Sequence, residues 1–223
     1  MKQVIQNYRS GELQMVEVPE PAARNGMLMV RTHASLVSVG TEKAMIDVAK
    51  KSLLGKALAR PDWVKQVVDK VKSEGMGEAW RQSKARLNMP VPLGYSSAEE
   101  VVECGIGNAE FGIKIGDRVA CTGSGYASHA EVVMVPPNLC AKIPDNVSFE
   151  DASYGALGGI AMEAVRLAHV EFGHRVAVIG LGLLGQLATQ ILTSAGCHVL
   201  GTDISEDKSV LAIEHGAEAT GVS

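Results

Sequence analysis

A chain of 223 residues is long enough for two modest domains or one large one, and either can bury a core without cross-links. With 46% hydrophobic residues, 21% charged residues and a net charge of −4, the composition is that of a folded globular protein and argues against a disordered or nucleic-acid-binding chain. Only 4% of residues are aromatic, too few for a base-stacking surface. The longest apolar stretch, Val176 to Leu184, is interrupted by glycines and falls short of the roughly 20 residues a spanning helix needs. The N-terminal MKQVIQNYRSGE has no apolar signal core, so a cytoplasmic protein with no membrane partner is expected.

Strand texture opens the chain at Lys2 to Gln6, Leu13 to Val18 and Met27 to Ser38, with turns at Ser10-Gly11 and Asn25-Gly26. From Lys43 to Met89 the texture becomes helical, with Trp63, Val64, Val67, Val68 and Val71 on one stripe and Ala79, Trp80 and Leu87 on another. This segment carries a charge balance of +6 against −10 for the remainder, which reads as an exposed helical insert. Strands and turns resume from Pro90 through Gly94, Val101 to Glu103, Gly105, Gly107, Gly116-Asp117-Arg118-Val119 and Gly123 to Gly125, and Lys142-Ile143-Pro144-Asp145 closes a β domain. Ser148, with Asp151 three residues on, reads as the N-cap of a helix with an acidic first turn. The domain boundary is placed there, giving domains 1–147 and 148–223 with the insert at 43–89.

Cys104, Cys121, Cys140 and Cys197 are scattered singly, a pattern of bystander thiols rather than of a disulfide framework or a structural zinc knot.

The most informative motif follows. Arg175 to Ile179 is an apolar, β-branched run that leads directly into Gly180-Leu181-Gly182-Leu183-Leu184-Gly185. Leu184, Leu187, Ala188, Ile191, Leu192 and Ala195 then recur at helical spacing, and Gly196 sits at a C-cap position. A second strand, His198 to Thr202, ends in Asp203, eighteen residues after Gly185. Strand, glycine turn, helix and terminal acid together make a dinucleotide site: a tight turn at Gly180, backbone approach to the diphosphate at Gly182, and close helix packing at Gly185. The free amides at the helix start receive the phosphate charge, and Asp203 accepts from the ribose hydroxyls. No arginine follows in Ile204-Ser205-Glu206, which favours NAD over NADP. The cofactor-contacting set is therefore Gly180, Leu181, Gly182, Leu183, Leu184, Gly185, Asp203 and Ile204.

The order of β domain, Gly-Asp-Arg-Val turn, Ile-Pro-Asp turn and glycine fingerprint resembles the medium-chain dehydrogenase/reductase superfamily. That resemblance implies an α/β plus β architecture, a GroES-like β domain followed by an incomplete, doubly wound Rossmann domain. The stretches Thr32-His33-Ala34-Ser35-Leu36-Val37-Ser38, Ser52-Leu53-Leu54-Gly55-Lys56-Ala57 and Pro92-Leu93-Gly94-Tyr95-Ser96-Ser97-Ala98 are similar to bacterial proteins in which such a module precedes a Gfo/Idh/MocA-type oxidoreductase domain. Where the zinc-dependent branch carries its metal ligands, this chain reads Ser38-Val39-Gly40-Thr41-Glu42, Gly94-Tyr95-Ser96 and Ser153-Tyr154-Gly155-Ala156. These do not supply three zinc ligands, so a zinc-independent site is expected. The resemblance places Tyr95, Ser38 and Thr41 beside the nicotinamide, with Tyr95 as candidate acid or base and Thr41 as candidate proton carrier. His33 and His129 lie on strand-like segments and read as satisfied core or surface histidines, and Glu99 stands where the family usually has glycine.

A doubly wound domain needs about six parallel strands, yet only 38 residues follow Gly185. The chain is expected to be the N-terminal part of a longer enzyme, or to complete its sheet with a homo-oligomeric partner or a downstream oxidoreductase domain. Three functions stay open: a hydride-transfer enzyme for a small alcohol, carbonyl or sugar-type substrate, a non-catalytic cofactor-binding module, and an oligomerisation module that has lost the cofactor.

Overall fold

The computed structural model describes residues 1–7, 10–52, 55, 58, 90–105 and 111–222. The helical stripes expected within 61–89 and the turn at Gly107 lie outside these residues. The chain divides into two compact units, Met1–Ser153 and Tyr154–Ser223.

The first unit is built on two antiparallel sheets. Strand β1 (Lys2–Asn7) lies between β2 (Leu13–Glu17) and β4 (Pro90–Pro92). The second sheet has the order β7-β3-β5-β6-β8, from β3 (Leu28–Ser35), β5 (Ser96–Cys104), β6 (Arg118–Thr122), β7 (Val132–Val135) and β8 (Cys140–Lys142). Alternation along these strands turns Leu28, Val30, Val101, Val119, Val133 and Val135 into one core. Each such side chain contributes about 1.5–3 kcal/mol over its exposed state.

Two boundaries differ from expectation. Strand β3 ends at Ser35 rather than continuing to Ser38, and helix α1 (Val39–Lys50) starts four residues before Lys43. The cause is Glu42, whose carboxylate reaches back to accept from the Ser38 amide at 2.8 Å and so stabilises an earlier helix entry. Ser148 caps α2 (Phe149–Ala152) as expected, its hydroxyl accepting from the Asp151 amide. That helix stops after one turn, where the Ser153 carbonyl accepts from the Ser96 hydroxyl at 2.5 Å. Phe149 stacks on His33 with centroids 4.1 Å apart, and Arg118 lies over the same ring at 4.4 Å. These contacts bind α2 to the second, five-stranded sheet, and the division of the chain falls after Ser153 rather than after residue 147.

The second unit alternates helix and strand: α3 (Gly155–Leu167), β9 (Arg175–Ile179), α4 (Leu183–Ser194), β10 (His198–Asp203), α5 (Glu206–Glu214) and β11 (Ala219–Val222). The strands are parallel in the order β11-β10-β9. One sheet face packs Val176, Val178 and Val199 against Leu181, Leu192 and Ala212. The opposite face leaves Ala177, Ile179 and Leu200 exposed, with Ile179 at 86%. The buried face of α4 is Gln186, Thr189 and Leu192, so of the apolar stripe read from the sequence only Leu192 is fully enclosed.

Candidate functional site

Strand β9 delivers the chain into the glycine corner, and each glycine has a separate steric reason. Gly180 takes φ +90°, a conformation L side chains avoid. A Cβ on Gly185 would strike the Gly180 carbonyl oxygen, so α4 can approach the corner only without one. A Cβ on Gly182 would meet nothing within 4 Å, which leaves open space in front of the first turn of α4. Gly182 is the N-cap of α4 and offers no side-chain cap. The Leu183, Leu184 and Gly185 amides, which a helix cannot satisfy internally, therefore head a site suited to an anion.

At the end of β10, Asp203 turns its carboxylate back to this corner. Oδ2 accepts from the Leu181 amide at 2.7 Å, and Oδ1 accepts from the Ser205 amide at 2.9 Å. These amides, Ser205 first, hold the Asp203 carboxyl below the usual carboxylate range. Lys208 Nζ lies 3.4 Å from Oδ1. Beside Asp203, Ile204 is 82% exposed and offers an apolar surface next to the acid. Gln186 fixes the corner from behind: its Nε2 donates to the carbonyls of Leu181 at 3.1 Å and Lys208 at 2.8 Å, and its Oε1 pairs with His215 Nδ1 at 2.9 Å. Sequence reasoning missed Gln186 and Lys208. Gln186 sits in an apolar helix with no motif to mark it, whereas Lys208 would have been found by reading two residues beyond Glu206.

In the first unit the structure brings together two of the three candidate catalytic residues. The Tyr95 hydroxyl donates to Ser38 Oγ at 2.9 Å, while Thr41 is exposed on the first turn of α1. Ser38 is the N-cap of α1, yet its hydroxyl makes no capping bond. Forgoing that bond costs about 1 kcal/mol, so the orientation toward Tyr95 is not the one helix stability alone selects. Two further residues complete the cluster. Glu42 Oε1 accepts from the Ser38 amide, Glu42 Oε2 pairs with His129 Nε2 at 3.0 Å, and His129 Nδ1 pairs with Ser35 Oγ at 2.9 Å. The His129 side chain is 10% exposed and that of Glu42 6%. His129 lies on a bend rather than a strand, just before the bridge between Gln3 and Ala130. Both of its ring nitrogens are satisfied.

Zinc chemistry needs three such ligands converging on one point. Glu42 and His129 face each other, Ser38 and Tyr95 supply only hydroxyls, and Ser153 donates its hydroxyl to the Glu150 carbonyl at 2.7 Å. Among the described residues no group of three or more His, Cys, Asp or Glu is placed to hold a metal ion. Glu99, fully enclosed in β5, accepts from Ser97 at 2.7 Å and Thr32 at 3.3 Å through Oε1, while burial pushes its carboxyl above the usual range. These hydroxyls serve Oε1 alone, and Oε2 is buried without a hydrogen-bond partner among the described residues. Among the described residues no helix is long and apolar enough to cross a membrane.

No family model matches the chain. An alcohol dehydrogenase from Geobacillus stearothermophilus is 30% identical over 209 residues, covering 78% of this chain and 61% of that enzyme. A D-guloside 3-dehydrogenase from Escherichia coli is 32% identical over 128 residues, 56% of this chain and 35% of that one. Among solved structures, galactitol-1-phosphate dehydrogenase from Escherichia coli superposes with a TM-score of 0.76 at 20% identity, covering 100% of this chain and 61% of its own. The Escherichia coli quinone oxidoreductase complexed with NADPH gives 0.74 at 18% identity, covering 99% and 58%. These relatives and neighbours are medium-chain dehydrogenases and reductases, and the structural likeness gives the chain their α/β fold. The chain spans 61% of the length of the alcohol dehydrogenase and less of the D-guloside enzyme.

Proposed function

We propose that the chain is the N-terminal part of a zinc-independent, NAD(H)-dependent oxidoreductase of the medium-chain kind. Its GroES-like unit would handle a small alcohol, carbonyl or sugar-type substrate, and its Rossmann-type unit would hold the adenosine half of the cofactor. The observation that carries this reading is the glycine corner, open at Gly182, closed behind by Gly185, and met by the Asp203 carboxylate through the Leu181 amide. The residues fit a dinucleotide: the Leu183, Leu184 and Gly185 amides would receive the diphosphate, Asp203 would take the ribose hydroxyls, and Ile204 would offer an apolar surface to the adenine. When bound, the nicotinamide supplies or receives a hydride.

The chain's own contribution is to bind, orient and manage a proton. Tyr95 is the donor or acceptor for the substrate oxygen, and Ser38 orients the phenol by accepting its hydrogen bond. Thr41, exposed on the first turn of α1 after Ser38 in the sequence, is the candidate for passing that proton to water. The 32% identity to a sugar dehydrogenase favours a sugar-type substrate, and the stretches quoted above favour a following Gfo/Idh/MocA-type domain. A cytoplasmic homo-oligomer is the assembly we expect.

Lys208 supports a second reading of the cofactor. Its ammonium, 3.4 Å from Asp203, could swing to a 2′-phosphate and admit NADP. A titration of NADH and NADPH against full-length wild type, Asp203→Ala and Tyr95→Phe, with metal analysis of the same samples, tests the proposal. Tighter NADH binding that weakens in Asp203→Ala supports it, and stoichiometric zinc overturns the metal-free site. Nucleotide binding with turnover unchanged in Tyr95→Phe would point to the non-catalytic module, and no binding of either nucleotide to the oligomerisation module.

A further inference from the structure

Glu42 and His129 have no assigned role, and yet they are an enclosed pair, with side chains 6% and 10% exposed, linked to a candidate catalytic group. The chain of contacts is continuous. Ser38 Oγ accepts from Tyr95, the Ser38 amide donates to Glu42 Oε1 at 2.8 Å, Glu42 Oε2 receives His129 Nε2 at 3.0 Å, and His129 Nδ1 reaches Ser35 Oγ at 2.9 Å. The same histidine also controls the other side of the cluster. Its amide donates to the Leu93 carbonyl at 2.8 Å, and its ring lies over Gly94, where a Cβ would come within 3.0 Å of ring atoms and 2.8 Å of the His129 nitrogen. Gly94 adopts φ +96° at this contact, one residue before Tyr95.

Two segments distant in sequence are thus referenced to one imidazole. The end of β3 and the entry of α1, residues 35 to 42, are tied through Ser35 and Glu42, and the segment leading into Tyr95 is tied through Leu93 and Gly94. Glu42 holds the Ser38 amide and so fixes the residue from its backbone side, while the Ser38 hydroxyl turns to Tyr95 and makes no cap to α1. We propose that Glu42 and His129 form a buried positioning pair that sets the Tyr95–Ser38 hydrogen bond, and so orients the group that meets the substrate oxygen. The proposal rests on the catalytic reading of Tyr95 for its consequence, though not for its geometry. Neither residue touches the reacting atoms, and a proton path through them is not implied, since Glu42 meets Ser38 at its backbone amide.

The pair is tested on the full-length protein labelled with 13Cζ-tyrosine, the Tyr95 resonance being the one missing from Tyr95→Phe. Ser38→Ala gives the reference displacement for loss of the phenol's acceptor. Glu42→Ala and His129→Ala should each displace the Tyr95 signal in the same direction, by more than its linewidth, while His33→Ala leaves it in place. Should the alanine variants fail to fold, Glu42→Gln and Ser35→Ala remove one charge or one hydroxyl with little change in volume and carry the same requirement. An unmoved Tyr95 signal in folded variants overturns the proposal. The signal is read without nucleotide, so failure to bind NADH, which would sink the proposed function, leaves this test decisive on its own.

Discussion

The Leu181 amide donates to the Asp203 carboxylate at 2.7 Å, so the acid ending β10 is a structural part of the glycine corner before any ligand arrives. Removing its charge has two separable effects. The Ser205 and Leu181 amides hold the carboxyl below its ordinary range, and a depressed folded pKa adds stability at pH above the unfolded value of about 3.9. That stability is lost as pH falls through the lower folded value. Asp203→Asn should therefore melt below wild type at pH 7, with the gap closing in strong acid. Its affinity for NADH should fall about ten- to a hundredfold, the range expected for loss of charge-assisted hydrogen bonds. Parallel thermal melts from pH 2 to 8 and fluorescence titrations check both, and a pH-independent gap would remove the carboxylate from the corner's stability.

Gly182 and Gly185 make opposite predictions from the same motif. Alanine at Gly185 drives its Cβ into the Gly180 carbonyl, an overpacking that costs about 1–3 kcal/mol or more. Alanine at Gly182 meets nothing in the free protein, at φ −68°, and its cost is limited to a weaker N-cap of at most about 1 kcal/mol. The new methyl group fills the space the diphosphate would take. Gly185→Ala should thus lower the melting temperature, whereas Gly182→Ala should melt close to wild type and lose nucleotide affinity. Equal NADH affinity in Gly182→Ala and wild type would mean that the corner is a packing device alone.

What the sequence made legible was local and backbone-driven. The strand Arg175 to Ile179, the glycine corner, the acid at Asp203 and the Ser148 cap each depend on neighbours within a few residues, and each was readable from spacing. The misread features depend on contacts across the chain. The helix entry at Val39 follows from Glu42, and Glu42 matters because His129, far along the chain, faces it. Gln186 breaks the apolar pattern of α4 because two carbonyls, at Leu181 and Lys208, require a buried donor. Periodicity reports which face is apolar, and it is silent on which polar side chain will be enclosed by backbone from another element.

Lys208 decides between nucleotides by charge. In the free protein it lies 3.4 Å from Asp203 and is about half exposed, so the ion pair itself adds little to stability. With NADH bound it has no 2′-phosphate to meet, and with NADPH it would neutralise the 2′-phosphate that Asp203 repels. Lys208→Ala should leave the NADH dissociation constant within about twofold and weaken NADPH about fivefold or more, an ion-pair effect that shrinks as salt is raised. If NADPH binding is unchanged by the substitution at low salt, the lysine is a bystander, and the NAD preference rests on Asp203 alone.

Glu99 provides a prediction with the opposite sign to Asp203. Burial in β5 raises its carboxyl above the ordinary range, and the Cys121, Ser97 and Thr32 hydrogen bonds only partly offset this. The unfolded chain gives up the Glu99 proton near pH 4.3, while the folded protein keeps it to higher pH. Between those two values the folded state binds more protons, so wild-type stability is full below the unfolded pKa and declines as pH rises through the folded one. Glu99→Gln keeps the shape and the acceptor for Ser97 without an ionisable proton, and it should show no such decline. The melting-temperature difference between variant and wild type should grow in the variant's favour from pH 4 upward. A difference that stays constant across that range would mean that Glu99 ionises in its buried position as freely as it does in water.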